Sequence, residues 1–327
     1  MNEEMETLEL EIDGRFINLY GDDLTKKEYV TNPAIARDDE IKKLIMVLLT
    51  PEKSGLLVGK PGIGKTAIVE GLAYLIQRDE VPNVLKGYRI IKINSTSLLN
   101  RVVVDGKELM VIEALVEELK NMHKVIIFID EIHTLIGGKE DGPMDLANIL
   151  KPALDRGEVK AIGATTTNEY DTYIIRDRAF LRRFERIDVL EPDEKTTIKI
   201  LMESLPKIEK QTGIKFKYND YVSELLIESI VSATSEFKRI YGLSAMYPDV
   251  AFSVLTAAFS HALFLNKTEV NVSDVYEAIK NSKRIYPDSI VKELAVFREK
   301  FHDLCMEEKI SLPVVTVDEI QNGNAIY

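Results

Sequence analysis

A glycine-rich segment between two apolar stretches constrains the fold of this chain more than any other feature. Residues 59–66 read Gly-Lys-Pro-Gly-Ile-Gly-Lys-Thr and fit the pattern G-x-x-x-x-G-K-[ST]. The apolar run Gly55–Val58 precedes this segment and is short enough for a buried strand, whereas Ala67–Ile76 repeats apolar residues at helical spacing. A strand, a glycine loop and a helix in this order form a phosphate-binding loop. The chain is therefore predicted to bind a nucleotide.

Each residue type in this loop has a separate task in phosphate binding. Glycines allow backbone N–H groups to converge on the phosphates, and the helix N-terminus adds the positive end of its dipole. We expect Lys65 to reach the β- and γ-phosphates and the hydroxyl of Thr66 to ligate Mg²⁺. A glycine turn that only joins a strand to a helix is the alternative, which this context disfavours. The predicted nucleotide contacts are Pro61, Gly62, Ile63, Gly64, Lys65, Thr66 and Ala67.

Composition is that of an ordinary globular protein. The 327 residues leave room for one large or two medium domains. A net charge of −12, from 42 basic and 54 acidic side chains, disfavours a sequence-independent nucleic-acid coat. A single cysteine, Cys305, precludes an intrachain disulfide, and the acidic N-terminus lacks the features of a signal peptide. The apolar runs are too short to span a bilayer, so we expect a cytoplasmic location and no membrane partner.

Alternating strand and helix patterns predict an α/β domain that is followed by a helical one. The candidate strands are 55–58, 88–93, 125–129, 159–163 and 186–190, with helical patterns between most of them. Such alternation is typical of a parallel sheet covered by helices. Beyond Pro192 helical patterns dominate as far as residue 284, which predicts a smaller, mostly helical second domain.

The two ends of the chain carry patterns of their own. Apolar residues alternate into Asp13-Gly14, which predicts a β-hairpin over residues 7–20. The stretch Ser289–Glu307 predicts a helix whose apolar stripe covers either the helical domain or a partner. The predicted domains are a hairpin and linker (1–31), a nucleotide-binding α/β domain (32–190), a helical lid domain (191–285) and a C-terminal helix with its tail (286–327).

A second motif supplies the carboxylates that ATP hydrolysis requires. The apolar run Val125–Ile129 ends in Asp130 and Glu131. We expect Asp130 to hold Mg²⁺ beside Thr66, directly or through water. Glu131 is placed to polarise a water for in-line attack on the γ-phosphate. The alternative, in which the two acids only cap the next helix, is weakened by the phosphate loop upstream.

Further polar residues are candidates for contacts with the reacting phosphate. Thr166 follows an apolar run and can hydrogen-bond the γ-phosphate or the attacking water, although Thr-Thr also suits β structure by propensity alone. Arg182 and Arg183 are either a solvated face or arginine fingers that stabilise transition-state charge on a neighbouring subunit's ATP. The second interpretation makes oligomerisation a requirement for catalysis. His133 is a candidate to orient Glu131 or a structural residue.

Taken together, these residues resemble the first AAA+ module of the Clp unfoldases, the family of ClpA, ClpB and ClpC. The resemblance covers residues 19–285 and rests on family-specific strings. These strings are Tyr20–Thr25, Asn32–Glu40, Thr66–Ala73, Val81-Pro82, Leu85–Gly87, Phe128–Thr134, Leu150–Glu158 and Gly163–Tyr170. The resemblance implies an AAA+ P-loop fold with a parallel sheet flanked by helices, a smaller helical lid, ATP/ADP and Mg²⁺ as ligands, and a hexameric ring.

The resemblance also implies roles for residues outside the phosphate loop. It assigns Thr166 as sensor 1, and Arg182 and Arg183 as fingers that act on the neighbouring subunit. It further implies an adenine pocket with contributions from both domains. The residues of that pocket are Ala34, Ile35, Ala36, Ile198, Leu201, Pro248 and Asp249.

The chain departs from the family pattern where Clp modules grip their substrate. Those modules carry a Tyr-Arg-Gly loop that projects into the pore of the ring, whereas this chain has Val104-Asp105-Gly106. An aliphatic side chain contacts an extended peptide more weakly than an aromatic one, and Asp105 reverses the charge. A Clp-type N-domain, a coiled-coil insertion and a second ATPase module are not found in the sequence, so a stand-alone module is expected.

The predicted function is a Clp-type AAA+ ATPase that remodels a protein or protein assembly through ATP-driven motions of a homo-oligomeric ring. A nucleotide-gated scaffold, which recruits a partner without threading it, is the alternative. Mutation of residues 102–105 separates the two hypotheses, because only the first requires that segment to contact a substrate. ATP-driven DNA remodelling is a weaker third hypothesis, since the net charge is −12 and no basic cluster with aromatic residues is present.

Overall fold

The structure is a computed structural model that describes residues 15–98, 100–104, 107–119, 121–136, 149–150, 159–241 and 246–323. Two units are distinguished by their internal contacts. The first comprises Met1–Lys60 and Lys65–Leu190, and the second comprises Pro61–Gly64 and Glu191–Tyr327.

A six-stranded sheet organises the first unit. In spatial order its strands are β1 (Gly21–Asp23), β3 (Arg89–Ile93), β6 (Val125–Ile129), β7 (Val159–Thr165), β2 (Ser54–Val58) and β8 (Phe184–Asp188). Strand β1 pairs antiparallel with β3, and all other neighbours pair in parallel. The predicted parallel sheet is confirmed, although its last strand begins at residue 184 rather than 186.

The inner strands β2 and β6 are buried because their sequences are almost entirely apolar. Every residue of β2 and β6 is buried. Helices with apolar residues at helical spacing pack on the sheet. The helices of this unit are α1 (Arg15–Tyr20), α2 (Asp38–Leu49), α3 (Lys65–Gln77), α4 (Ser95–Leu98), α5 (Val111–Leu119), α6 (Thr167–Glu169) and α7 (Arg178–Arg183). The apolar core therefore lies between the sheet and these helices.

The predicted hairpin over residues 7–20 is wrong for its second half. Helix α1 occupies Arg15–Tyr20, and residues 7–14 lie outside the described part of the chain. Phe16 and Tyr20 are four residues apart, and their rings stack with centroids 6.4 Å apart. The Oε2 atom of Glu118 accepts hydrogen bonds from the N–H groups of Phe16 (2.8 Å) and Ile17 (3.3 Å). These bonds satisfy two N–H groups of the first helical turn, and Ile17 is buried, so packing selects a helix here.

Helices dominate the second unit, as the sequence predicts. They are α8 (Glu194–Thr212), α9 (Asp220–Ala233), α10 (Asp249–Phe264), α11 (Val272–Lys280), α12 (Pro287–Lys300), α13 (His302–Glu308) and α14 (Val317–Gly323). The short strands β9 (Lys215–Phe216) and β10 (Glu269–Val270) pair in parallel. Among the described residues, no helix has both the length and the hydropathy to cross a bilayer. The cytoplasmic location stays a prediction.

The stretch predicted as one C-terminal helix forms two. Helix α12 ends at Lys300 and α13 begins at His302, with Phe301 between them at φ −107° and ψ 19°. The apolar stripe of α12 is buried, and the ring of Phe297 lies 5.8 Å from that of Tyr276 on α11. The stripe therefore covers the helical unit itself, which is the first of the two predicted alternatives.

Candidate functional site

The phosphate loop joins β2 to α3 through two glycines with positive φ. Gly62 has φ +74° and Gly64 has φ +99°, values that residues with a Cβ rarely adopt. Helix α3 begins at Lys65, directly after the second of these glycines. The first N–H groups of a helix have no partner within the helix. The loop therefore ends where backbone donors are free to bind phosphate oxygens.

The Lys65 ammonium is bound by carbonyl groups of its own loop. Its Nζ donates to the carbonyl oxygen of Gly59 at 2.9 Å and to that of Lys60 at 3.0 Å. Burial lowers the pKa of Lys65, although nearby carboxylates, Asp130 foremost, oppose this shift. A partly desolvated ammonium gains more from pairing with an anion than an exposed one does.

Thr66 and Asp130 meet at the carboxyl end of β6. The hydroxyl of Thr66 donates to Oδ2 of Asp130 at 2.9 Å, although the residues are 64 positions apart in sequence. Lys92 Nζ lies 3.9 Å from the same carboxylate oxygen. A hydroxyl beside a carboxylate is a donor set of hard oxygen atoms, the kind that Mg²⁺ prefers in combination with phosphate oxygens. The residues present therefore fit a magnesium ion.

Glu131 has a backbone conformation that is uncommon for a residue with a side chain. Its φ of 51° and ψ of 43° lie in the left-handed region. Three hydrogen bonds hold it there: its N–H donates to Asp130 Oδ1 at 3.1 Å, and the N–H and hydroxyl of Thr134 donate to its carbonyl at 3.0 and 2.9 Å. Such a conformation costs about 1–3 kcal/mol and often occurs at functional sites. The Glu131 side chain is exposed just beyond β6.

Close packing fixes the turn after Glu131 against β7. A 3₁₀ helix, Ile132–Leu135, follows directly, and Ile132 is fully buried. A Cβ atom at Gly163 would lie 2.9 Å from Cδ1 of Ile132 and 3.0 Å from Cδ1 of Leu56. The glycine therefore permits a close approach that sets the spacing between this turn and the end of β7.

Two threonines lie at the end of β7. Thr165 is buried, and its carbonyl accepts a hydrogen bond of 3.3 Å from the N–H of Gly59, at the start of the phosphate loop. Thr166 and Glu169 form a capping box: Thr166 Oγ1 accepts from the N–H of Glu169 at 3.3 Å, and the Glu169 carboxylate accepts from the N–H of Thr166 at 3.0 Å. Because the Thr166 oxygen acts as an acceptor, its O–H proton remains available to another acceptor.

The paired arginines lie at the end of helix α7. The rings of Phe180 and Phe184 are buried and stack with centroids 4.0 Å apart, which fixes the junction between α7 and β8. Arg182 is exposed at this junction, and Arg183 is half-buried. Their place at the end of a rigid element suits a role in trans, which stays a prediction.

Of the residues assigned to the adenine pocket, the three in the first unit precede helix α2. Ala34 and Ile35 are buried, whereas Ala36 is exposed with φ +54°. A Cβ atom at Gly71 would lie 2.2 Å from the Cβ of Ala34, so this glycine allows the segment to approach α3 closely. The segment is thereby fixed beside the helix that begins at the phosphate loop.

The other adenine-pocket residues lie in the second unit. Ile198 is half-buried and Leu201 is fully buried on α8, while Pro248 and Asp249 stand at the start of α10. Asp249 Oδ2 accepts a hydrogen bond of 2.6 Å from Arg284, a partner that no sequence signal indicates. The composition of the adenine pocket stays a prediction.

A two-stranded hairpin carries the residues aligned with the Clp pore loop. Strand β4 (Arg101–Val104) pairs antiparallel with β5 (Lys107–Met110), and the connecting residues Asp105 and Gly106 lie outside the described part of the chain. Val102 packs against the core of the first unit, whereas Val103 is 69% exposed. The hairpin therefore presents an aliphatic side chain to solvent one residue before the position aligned with the family's aromatic.

Comparison with known proteins agrees with this architecture. Residues 55–191 match the family described as "ATPase family associated with various cellular activities (AAA)". The chaperone protein ClpB of Porphyromonas gingivalis is 35% identical over 297 residues, which cover 90% of this chain and 32% of that protein. ClpB of Pseudomonas putida is 39% identical over 249 residues, which cover 75% of this chain and 28% of that protein.

Solved structures lead to the same family. The chain matches Hsp104 in a closed-state cryo-EM reconstruction with ATPγS and FITC-casein at a TM-score of 0.70 and 29% identity, over 95% of this chain and 52% of the Hsp104 chain. This chain spans about a third of the length of the first ClpB relative. The predicted fold class and the resemblance to the Clp family are confirmed. Residues 55–191 are thus an AAA domain, within a chain that is homologous to the ClpB proteins and has the AAA+ fold of Hsp104.

Proposed function

We propose that this chain is a Clp-type AAA+ ATPase that binds ATP with Mg²⁺ and hydrolyses it to remodel a protein or protein assembly. The hydrogen bond of 2.9 Å between Thr66 and Asp130 carries the proposal, because it joins the phosphate loop to the acidic end of β6. The AAA domain and the similarity to ClpB and Hsp104 support the same assignment.

In this proposal the phosphate loop binds the triphosphate and the residues beside it hold the cation. Backbone N–H groups of Gly62–Ala67 donate to phosphate oxygens, and Lys65 exchanges its two carbonyl acceptors for the β- and γ-phosphates. Thr66 and Asp130 hold Mg²⁺, which neutralises charge on the phosphates when it is bound.

The hydrolytic step is assigned to side chains around the γ-phosphate. Glu131 accepts a proton from water as the water oxygen attacks the γ-phosphorus in line with the bond to the leaving ADP oxygen. Thr166 donates its O–H to the γ-phosphate or to the attacking water. Arg182 and Arg183 of a neighbouring copy stabilise the charge that develops in the transition state. The proposal therefore includes a homo-oligomeric ring, and the Clp resemblance implies six copies.

Protein remodelling is favoured over a nucleotide-gated scaffold. The ClpB relatives are named chaperones, and casein is present in the Hsp104 reconstruction. Exposed Val103 on the hairpin of β4 and β5 supplies an aliphatic contact for an extended chain. We therefore propose a protein substrate, with nucleic acid disfavoured by the net charge of −12.

Substitution of Glu131 by Gln tests the ATPase assignment. Loss of the general base lowers turnover by about 10²–10⁴-fold, while binding of a fluorescent ADP analogue persists because the phosphate loop is unchanged. Phosphate release and nucleotide titration measure the two quantities. Glu80→Gln, at an exposed ion pair with Arg78, is the matched control and retains full turnover. A folded Glu131→Gln protein with undiminished turnover would contradict the assignment.

A further inference from the structure

One carboxylate oxygen, Oε2 of Glu169, is surrounded by polar atoms from two strand ends. It accepts hydrogen bonds from the N–H of Thr166 at 3.0 Å and from the hydroxyl of Thr165 at 3.3 Å. The Nδ1 atom of His133 lies 3.1 Å from the same oxygen and 3.2 Å from the Thr165 hydroxyl. An ionised carboxylate is only an acceptor, so the Thr165 hydroxyl donates to Glu169, and the tautomer of His133 with a proton on Nδ1 donates to these same two oxygen atoms.

The network is largely shielded from solvent. The side chain of His133 is 13% exposed and that of Glu169 is 32% exposed. The His133 ring stacks on Tyr173, with centroids 6.0 Å apart and planes 18° apart. Burial alone would raise the pKa of Glu169, but the hydrogen bonds from Thr166 and the neighbouring His133 and Thr165 hold that pKa below its ordinary value. Glu169 is therefore an ionised acceptor at neutral pH.

These contacts connect the two groups that the proposed reaction brings to one phosphate. His133 belongs to the turn that begins with the strained residue Glu131, and Thr166 follows Thr165 at the end of β7. Glu169 binds both sides, because its carboxylate reaches the His133 turn while its N–H donates to the Thr166 oxygen. The relative position of Glu131 and Thr166 thus depends on this network.

We propose that His133 and Glu169 are a positioning pair for ATP hydrolysis, which hold Glu131 and Thr166 at the separation that a single γ-phosphate requires. Neither residue needs to touch the nucleotide, since both act through their neighbours. The inference rests on the ATPase activity proposed above. Because positioning matters most in the transition state, loss of the pair lowers kcat and leaves KM almost unchanged.

Paired substitutions at each position separate the hydrogen bond from packing. His133→Phe keeps a ring to stack on Tyr173 but removes the donor, whereas His133→Asn keeps a donor near the Nδ1 position. Glu169→Ala removes the acceptor, whereas Glu169→Gln keeps an oxygen for the Thr165 and Thr166 donors. Asp171→Asn changes an exposed acid two residues further along and is the matched control.

The test measures kcat and KM for ATP together with the thermal midpoint of each variant. We expect His133→Phe and Glu169→Ala each to lower kcat by about tenfold, with KM within about twofold of the wild type. His133→Asn and Glu169→Gln retain most of kcat, as does Asp171→Asn. The double variant His133→Phe/Glu169→Ala is no slower than the slower single one, because both changes break one network.

Distinct outcomes would overturn the inference and the proposed function. A wild type that binds nucleotide without turnover contradicts the ATPase and with it the positioning pair. If the wild type hydrolyses ATP but the variants lose only thermal stability, or lose kcat additively, the positioning role of His133 and Glu169 is contradicted. The proposed ATPase activity then stands. If Glu169→Ala fails to fold, His133→Phe decides, since it preserves the ring that packs on Tyr173.

Discussion

The carboxyl edge of the sheet and the hairpin of β4 and β5 differ in how firmly their residues are held. At the edge, Lys65 donates to two carbonyl groups of its own loop and Thr66 donates to Asp130, with hydrogen bonds of 2.9–3.0 Å. On the hairpin, the ion pair between Arg101 and Glu108 is 3.3 Å long and its side chains are 68% and 60% exposed. An exposed ion pair of this kind contributes little to stability.

This difference explains where the chain keeps the Clp pattern and where it departs from it. Residues at the edge lie next to buried strands and to one another, so a changed side chain there alters the proposed hydrolytic site. The hairpin is anchored through Val102 and Met110, which pack against the core, whereas Val103 faces solvent. Its solvent-facing side can therefore change without cost to the fold. In the proposed function, contacts with a substrate can therefore differ from those of the Clp family while the residues assigned to hydrolysis are kept.

The largest effect is expected from Arg183→Ala. This variant tests whether the proposed active site at the carboxyl edge of the sheet needs an arginine from a neighbouring copy. Arg183→Ala is expected to lower turnover by about 10³-fold, because an arginine finger stabilises charge only in the transition state. Nucleotide affinity of the isolated copy is expected to remain, since Arg183 lies at the end of α7 rather than in the phosphate loop. Steady-state turnover and nucleotide titration measure the two effects.

Mixing two inactive variants provides the sharper control. In a mixed ring, a Glu131→Gln copy supplies intact arginines to the site of an Arg183→Ala copy, whose own Glu131 is intact. Turnover should therefore recover on mixing, whereas each variant alone stays inactive. A mixture that remains as slow as its components, despite forming mixed oligomers, would place Arg183 outside the neighbouring site.

A middle-sized effect is expected from the packing that positions the Glu131 turn. Gly163→Ala places a methyl group 2.9 Å from Cδ1 of Ile132 and 3.0 Å from Cδ1 of Leu56. Overpacking of this kind lowers the free energy of unfolding by about 1–3 kcal/mol. Denaturant unfolding measures the loss. Ile132→Val removes the nearest atom, so the double variant should lose less stability than the sum of the single ones; strict additivity would contradict the contact.

Much of the edge was predictable because its signals are local. The run Val125–Ile129 is apolar throughout and ends in two acids, and the glycine loop stands between a strand and a helix pattern. Parallel strands end at one edge, so these local motifs suffice to bring Thr66 and Asp130 together. The Thr166 and Glu169 capping box also has a local signal, the spacing T-x-x-E, which sequence reasoning did not use.

The remaining features depend on contacts between residues that are distant in sequence. Helix α1 is selected by Glu118, about a hundred residues away, which satisfies its first N–H groups. The pairing of Asp249 with Arg284 spans 35 residues and follows no periodic pattern. The hairpin of β4 and β5 has strands of four residues each, too short for alternation to stand out. Tertiary packing decides each of these features. Contacts between residues distant in sequence leave no periodic pattern from which they could be predicted.

The smallest expected effect concerns the hairpin, where the two neighbouring valines give a matched pair. Val103→Ser changes a side chain that is 69% exposed, so basal turnover and the free energy of unfolding should be unchanged. Val102→Ser changes a side chain that packs against the core, and is expected to lower the free energy of unfolding by about 1 kcal/mol. Fluorescein-labelled casein is the probe for substrate contact. Of the two variants, only Val103→Ser should weaken casein binding, and the stimulation of ATP turnover by casein, without a change in the free energy of unfolding.

That pattern would assign substrate contact to the solvent face of the hairpin, because only an exposed side chain can affect casein without affecting the fold. If Val103→Ser responds to casein as fully as the wild type does, the hairpin is not a point of contact. The nucleotide-gated scaffold would then explain better why the residues assigned to ATP hydrolysis are kept while those aligned with the Clp pore loop differ. Deletion of the side chain in Val103→Gly should reproduce the serine result, since both changes remove the same apolar surface.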